Sequence, residues 1–156
     1  MRTCTFAGRA CVYSTYVRQQ LEAEIEAFIS GTDPAVFYVG GRGDFDRMAT
    51  SAVRTIKERY RDKEIQLYLV EPYMHEGLNR DKDHNKMLYD GVIIPHELLG
   101  IHPKAAITKR NRWMVDQSDL LIAFVQRDFG GAYEMLKYAR RKNVTVVNIF
   151  SKKVYE

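Results

Sequence analysis

Segments typical of strands alternate with segments typical of helices along the whole of this 156-residue sequence. Short apolar runs predict strands at residues 3–7, 35–39, 65–70, 119–125 and 144–150, and a weaker run predicts one at about 91–94. Between these runs, apolar residues recur every three or four positions, as they do on the buried face of a helix. This alternation is typical of βαβ units and predicts a doubly wound α/β domain, with a mostly parallel sheet and helices on both faces.

The helical periodicity is clearest between the first three strands. Val17, Leu21 and Ile25 mark one face of the first helix, and Phe45 and Ala49 begin the apolar face of the second. Two more helices are predicted, one over 105–117 and one opening at Gly130-Gly131. Residues 74–87 are polar, carry mixed charges and have no clear period, so no element is predicted there.

Composition restricts the class of protein. The length and the balance of 46% hydrophobic and 28% charged residues suit one globular domain spanning 1–156. The formal net charge of +4 tolerates an anionic ligand but is small for a nucleic-acid binder, so a nucleic acid is not an expected partner. Because no apolar run approaches the roughly 18 residues needed to cross a bilayer, we expect a cytoplasmic protein that has no membrane partner. Of the two cysteines, Cys4 is expected to be a small buried side chain on the first strand.

Glycine and arginine follow several of the predicted strands. Gly8-Arg9 follows the first, Gly40-Gly41-Arg42-Gly43 the second, and Gly130-Gly131 closes the turn after the fifth. In doubly wound sheets, ligands bind outside the carboxyl ends of the strands, where these turns converge. Glycine lets backbone N–H groups approach a phosphate or carboxylate closely, and arginine adds charge-assisted contacts. Each turn, taken alone, is equally well explained as a tight turn, but three on one edge favour an anion-binding pocket.

Common nucleotide-binding fingerprints are absent from these turns. The second turn has Asp46 where a dinucleotide motif has its third glycine, and no segment matches a P-loop. Asp46 has two interpretations: it complements the dipole of its helix, or it accepts hydrogen bonds from ribose hydroxyls. The histidines, His75, His84, His96 and His102, are interpreted as solvent-facing loop residues rather than metal ligands, because their spacing fits no ligand pattern.

Three blocks of the sequence resemble the SLOG superfamily, in particular its small proteins of firmicutes and their phages. The blocks are Thr3–Arg9, Tyr38–Asp46 and Asn111–Asp119. The resemblance implies a Rossmann-like fold that binds nucleotides or nucleotide-derived molecules. The superfamily also includes cytokinin-activating phosphoribohydrolases and the DNA-processing protein of natural transformation. The usual first block continues Gly-His-Arg, whereas this chain has Gly8-Arg9-Ala10, so no role of that histidine transfers.

The phosphoribohydrolase branch suggests two catalytic candidates. Arg110 is in register with that branch's arginine upstream of a Ser-Asp step, and Glu134 is in register with its glutamate if 130–134 is aligned with the glycine motif. A Glu–Arg pair at a ribose would suit N-glycosidic cleavage, with the carboxylate stabilising positive charge and the guanidinium holding phosphate. The resemblance also favours a pocket contact from the basic cluster before the fifth strand, and Arg112 is the first choice for it.

These observations lead to three ranked expectations. The first is binding, for sensing or sequestration, of a nucleotide-like or phosphate-bearing molecule by Gly8, Arg9, Gly40, Gly41, Arg42, Gly43, Asp46, Arg112, Gly130 and Gly131. The alternative is a nucleotide N-glycosidase that uses Arg110 and Glu134. Single-stranded DNA binding ranks third, because the net charge is small and no separate DNA-binding motif is visible. No cofactor or metal is predicted, and self-association into a homo-oligomer is plausible.

Overall fold

The computed structural model describes residues 1–8 and 15–150, which contain six strands, six α-helices and the short 3-10 helix His96–Leu98. The strands are β1 (Arg2–Gly8), β2 (Ala35–Val39), β3 (Ile65–Val70), β4 (Gly91–Ile93), β5 (Leu120–Phe124) and β6 (Thr145–Asn148). The helices are α1 (Thr15–Ser30), α2 (Asp44–Arg59), α3 (Glu76–Arg80), α4 (Lys82–Leu88), α5 (Pro103–Asp116) and α6 (Gly131–Arg141). The strand and helix alternation expected from the sequence is therefore confirmed.

All six strands pair in parallel in the order β4-β3-β2-β1-β5-β6. The chain moves outward from β1 through β2, β3 and β4, and then returns to place β5 on the other side of β1. The strand order therefore reverses between β1 and β5, and the carboxyl ends of these two strands border the crevice in which such sheets bind ligands. The predicted Rossmann-like α/β class is confirmed.

Apolar side chains bury both faces of the sheet. On one face, α1 and α2 pack against the strands, with Leu21, Ile25 and Ile56 fully buried against Phe37. On the other face, Met114 of α5 and Met135, Leu136 and Ala139 of α6 pack over Leu121 and Ala123. Because both faces are covered, β5 is buried along its entire length, which explains its continuous apolar sequence.

The structure differs from the sequence expectations mainly between β3 and β5. The segment 74–87, for which no element is predicted, contains the short helices α3 and most of α4. Helix α5 begins at Pro103 rather than at 105, because His102 caps it by accepting a hydrogen bond from the backbone N–H of Lys104.

Several smaller expectations also have outcomes. Cys4 is buried on β1, as expected. Arg9 and Cys11 lie outside the described residues. No helix in the described part of the chain is both long enough and apolar enough to span a membrane.

Candidate functional site

A cavity of about 130 Å³ lies at the reversal of strand order. Its walls come from the end of β1, the turn after β2, the helix α5 and the first turns of α6. The lining residues are Phe6, Ala7, Gly8, Arg42, Asp46, Arg110, Asn111, Met114, Gly131, Ala132 and Met135. We call this space the switch-point cavity. It brings together five of the residues singled out from the sequence: Gly8, Arg42, Asp46, Arg110 and Gly131.

Arg110 connects the ends of two strands beside this cavity. The residue is 4% exposed, and its Nη1 donates to the carbonyl of Val70 at 2.8 Å and to that of Gly40 at 3.4 Å. Its Nε donates to Oδ1 of Asn111 at 2.9 Å. Burial lowers the pKa of the guanidinium, and the nearby Asp46 carboxylate opposes this change. Arg110 therefore holds the carboxyl ends of β2 and β3 in place, with much of its donor capacity used within the protein.

Asp46 is the acidic group with the largest electrostatic effect on this arginine. It lies in the first turn of α2, where burial raises its pKa to about 6 although Arg110 and the backbone N–H groups of Gly40, Gly41 and Arg42 favour its charged form. A Cβ added at Gly40 would lie 3.1 Å from the Asp46 carboxylate and 3.1 Å from the Arg110 guanidinium. The glycine turn after β2 thus folds around a carboxylate of its own helix.

Gly8 fixes the distance between β1 and α2. A Cβ at this position would lie 2.3 Å from Cγ of Phe45, the fully buried second residue of α2. Only glycine permits this approach, which brings the start of α2, and therefore Asp46, against the end of β1. Gly8 is required here for packing, whatever its role toward a ligand.

Arg42 is the cation of the cavity that remains accessible. Its side chain is about half exposed, at 51%, and Nη2 lies 4.0 Å from Oε2 of Glu71. Glu71 is buried at the end of β3, and the same oxygen lies 3.0 Å from Nε2 of His75. His75 therefore contacts a buried carboxylate, although sequence analysis interprets it as a solvent-facing loop residue. Within residues 1–8 and 15–150, no three histidine, cysteine or acidic side chains are grouped to hold a metal ion.

Two members of this region are not among the predicted site residues. Glu71 is recognisable only as the residue directly after β3, and Asn111 only as the first residue of the third block that resembles the SLOG superfamily. The position directly after a parallel strand is the signal that identifies Glu71. No comparable signal identifies Asn111, because its role depends on the orientation of α5 against the sheet.

Other predicted residues do not line the switch-point cavity. Arg112 is exposed, with its guanidinium 5.1 Å from the ring centre of Tyr138 on α6. Two helical positions rotate a side chain by about 200°, so Arg110 and Arg112 face different sides of α5. Glu134 is exposed and its Oε1 lies 3.9 Å from Nζ of Lys137. The proposed Arg110–Glu134 pair is therefore not assembled at this cavity.

The two remaining glycines of the predicted site form helix starts. Gly43 and Gly130 are the N-cap residues of α2 and α6, with φ of 88° and 96°. A positive φ of this size is strained for other residues, so glycine is needed for the chain direction at both positions. Residues 126–129 line a separate groove beside β6, and of the third predicted turn only Gly131 reaches the switch-point cavity.

Comparison with known proteins yields a likeness of fold and none of sequence. No protein-family model matches the chain, and no curated protein matches it significantly. Among solved structures, DNA processing protein A of Helicobacter pylori, described for its single-stranded DNA binding mode, matches with a TM-score of 0.61 and 16% identity. The match covers 93% of this chain and 63% of that protein. DNA processing protein A of Streptococcus pneumoniae matches with a TM-score of 0.49 and 14% identity over 99% of this chain and 61% of that one.

The first of these matches shows a shared Rossmann-like fold, while the assignment to the SLOG superfamily stays a prediction. The chain spans less than two thirds of the length of either matched protein. The expectation that a nucleic acid is not a partner is contradicted, because a protein with this fold has a binding mode for single-stranded DNA. A small net charge and the lack of a separate DNA-binding motif were therefore insufficient grounds for that expectation.

Proposed function

We propose that the switch-point cavity binds the sugar–phosphate part of a nucleotide. The observation that carries this proposal is that the half-exposed Arg42 and the first turn of α6 face the same small cavity, with Asp46 in its wall. A volume of about 130 Å³ is well below the roughly 300 Å³ of a typical ligand pocket. It suits a phosphate and part of a sugar, with the base lying outside.

Each wall of the cavity has a chemical role in this proposal. Arg42 provides a charge-assisted hydrogen bond to phosphate, because its guanidinium is not consumed by backbone carbonyls as that of Arg110 is. The N-terminus of α6 at Gly131 and Ala132 contributes a partial positive charge and backbone N–H groups. Asp46 accepts hydrogen bonds from sugar hydroxyls, which a carboxylate next to a phosphate site does in many nucleotide-binding sheets.

The test is equilibrium dialysis of the full chain against nucleoside monophosphates, comparing the wild type with Arg42→Gln. Loss of one charge-assisted hydrogen bond corresponds to about 1.5–3 kcal/mol, so affinity should fall by a factor of about ten to a hundred. Arg61→Gln is the matched control, since Arg61 is an exposed arginine beyond the far end of α2. Saturable binding that Arg42→Gln leaves unchanged, or no saturable binding of any nucleoside monophosphate, would contradict the proposal.

Hydrolysis is measured in the same incubations by chromatography of the free base. The separation of Glu134 from the cavity argues against a Glu134–Arg110 hydrolase. Release of free base that disappears in Glu134→Gln would instead favour the N-glycosidase alternative.

Single-stranded DNA binding is the second candidate function. It ranks third from the sequence, and the comparison with known structures favours a higher rank. The supporting observation is the fold shared with a protein that has a single-stranded DNA binding mode. A strand presents the same sugar–phosphate unit as a free nucleotide, so both candidates use the same cavity. They are separated by whether an oligonucleotide binds more tightly than its monomer.

A further inference from the structure

The distribution of charge over the surface of the described residues is uneven. Six exposed cations lie on or near α6, accompanied by only three acidic residues, Asp116, Asp128 and Glu134. These cations are Arg112, Arg127, Lys137, Arg140, Arg141 and Lys142. Since the whole chain has a formal net charge of +4, most of its excess positive charge is concentrated here.

The cations near α6 also have unusual partners. Arg112, Arg141 and Lys142 surround the ring of Tyr138 at 5.1, 5.4 and 5.6 Å from its centre. Lys137 lies 5.3 Å from the ring of Tyr133, and Arg127 lies 5.2 Å from that of Phe129. Five of the six cations are thus paired with the face of an aromatic ring.

The opposite side of the sheet provides the comparison. Arg47, Lys57, Arg59 and Arg61, on or just after α2, all form ion pairs with carboxylates. Among the six cations near α6, Lys137 alone has a described carboxylate within 4.0 Å of its nitrogen, that of Glu134 at 3.9 Å. Cations without a paired carboxylate are available to an external anion, and several together attract a polyanion.

The aromatic residues near α6 indicate which kind of polyanion this surface would bind. Phe129 is 61% exposed in the loop before α6, where its only ring partner among the described residues is Arg127. Bases of a single strand can stack on such rings and on arginine guanidinium planes, whereas the bases of a duplex are stacked on each other and are not accessible. The exposed ring of Phe129 beside several cations without a paired carboxylate therefore favours a single strand over a duplex.

We propose that this surface, formed by the loop 127–129, the outer side of α6 from 133 to 142 and Arg112, binds single-stranded nucleic acid. We call it the basic–aromatic surface. Helix α6 borders both this surface and the switch-point cavity, because Gly131, Ala132 and Met135 line the cavity while Tyr133, Leu136 and Arg140 line the groove on the other side of the helix. The proposal rests on the second candidate function above and gives it a contact surface outside the cavity.

The experiment measures fluorescence anisotropy of a labelled oligothymidylate of about 15 nucleotides, which is near the upper site size of a single small domain. The full chain is titrated at several salt concentrations as the wild type and as Lys137→Gln/Arg141→Gln. Each lost phosphate contact lowers the salt slope by about 0.7 for a single strand, so the double variant should lower it by about 1.4 and weaken binding at least tenfold. Phe129→Ala should weaken binding by about tenfold through loss of stacking, with little change in salt slope.

A charge-matched control removes two cations from another surface. Arg54→Gln/Arg61→Gln changes the same net charge on and just after α2, and should leave the affinity within about twofold, as expected for sites that do not contact the strand. The basic–aromatic proposal fails if this control weakens binding as much as Lys137→Gln/Arg141→Gln does. It also fails if a duplex of the same length binds equally well, if Phe129→Ala has no effect, or if the wild type does not bind the oligonucleotide even at low salt.

A parallel measurement separates this proposal from the proposed function. Lys137→Gln/Arg141→Gln should retain the nucleoside monophosphate affinity of the wild type, whereas Arg42→Gln loses it. If monophosphates do not bind but the oligonucleotide binds through Lys137, Arg141 and Phe129, the nucleotide cavity is wrong and the surface stands. An oligouridylate of the same length determines whether the strand is DNA or RNA, and tighter binding of either supports the surface.

Discussion

The turn after β2 and the turn after β5 both place glycines directly before a helix, yet only the first is packed tightly. A Cβ added at Gly40 would lie 3.1 Å from the Arg110 guanidinium, and one added at Gly41 would lie 2.5 Å from Leu69. At Gly130 and Gly131 an added Cβ would meet nothing within 4 Å. Glycine is therefore needed for space in the turn after β2 and, at Gly130, only for its φ of 96° in the turn after β5.

The position of one acidic residue accounts for much of this difference. Asp46 is the third residue of α2, from which a side chain reaches back toward the residues before the helix. Glu134 is the fourth residue of α6, and it is directed instead toward Lys137 on the next turn. The turn after β2 therefore surrounds an anion that belongs to the protein, whereas the turn after β5 leaves its surface free for an external partner.

The largest expected effect comes from removing Arg110, the cation of α5 that contacts the turn after β2. Arg110→Met deprives the buried carbonyls of Val70 and Gly40 of a donor and removes the positive charge near the partly buried Asp46. Leaving a buried acceptor without its partner costs about 1–3 kcal/mol, so for two carbonyls urea denaturation should show a loss of about 2–6 kcal/mol. Arg112→Met, two positions along the same helix but exposed, should cost about 1 kcal/mol or less, the contribution of an exposed cation–π pair.

A double variant checks the reason for that loss. Arg110→Met/Asp46→Asn removes both charges, so it should recover part of the stability lost in Arg110→Met. Equal losses of unfolding free energy in Arg110→Met and Arg112→Met would contradict this explanation. So would a double variant that is no more stable than Arg110→Met, because Asp46 and Arg110 would then not be coupled.

The second largest expected effect is a pH dependence of the unfolding free energy that is due to the Asp46 carboxyl. Its pKa is raised from 3.8 to about 6 in the folded chain, so between these values the folded state binds more protons than the unfolded state. The free energy of unfolding should therefore fall as pH rises from about 4 to about 6, by up to about 3 kcal/mol for two pKa units. In Asp46→Asn this part of the decrease should be absent, since the asparagine does not titrate.

The measurement is urea denaturation at intervals of pH from 4 to 7 for both chains. The difference in unfolding free energy between wild type and Asp46→Asn isolates the contribution of this carboxyl, since other groups titrate in both. A difference that does not fall as pH rises from 4 to 6 would mean that the pKa of Asp46 is not raised and that the carboxylate is stabilised as an anion. The turn after β2 would then resemble an anion site rather than a turn that carries a desolvated carboxyl.

Much of the fold could be predicted from the sequence, because helices cover both faces of the central strands and these strands are rich in apolar residues, most clearly β5. The boundaries of β2 and β3 agree with the expected 35–39 and 65–70. Helix α4 could not be predicted in the same way, since none of its residues is buried and it therefore has no apolar period. The rule that ligands bind outside the carboxyl ends of parallel strands singled out Gly8, Arg42, Asp46 and Gly131, and these four residues line one cavity. Their role toward a ligand stays a prediction. Whether Arg110 or Arg112 lines the cavity depends on the rotation of α5 about its own axis, which the sequence does not specify.

The smallest effect compares glycine-to-alanine substitutions beside the starts of α2 and α6. Gly8→Ala introduces a Cβ that would lie 2.3 Å from the ring of the buried Phe45, so α2 or β1 must shift. Overpacking of this kind costs about 1–3 kcal/mol. Gly131→Ala places the same methyl group in open space at the start of α6, where alanine is a better helix former than glycine. Its unfolding free energy should stay within about 0.5 kcal/mol of the wild type, as for other exposed substitutions.

The origin of the Gly8→Ala loss can be tested with a second change. Phe45→Ala removes Cγ and Cδ2, the two atoms nearest to the new methyl group, so Gly8→Ala should cost less in that background than in the wild type. If Gly8→Ala and Gly131→Ala cost the same, or if Phe45→Ala does not reduce the cost, the contact between β1 and α2 is not tight. The start of α2 would then be packed no more closely than the start of α6, where an added Cβ at Gly131 meets nothing within 4 Å.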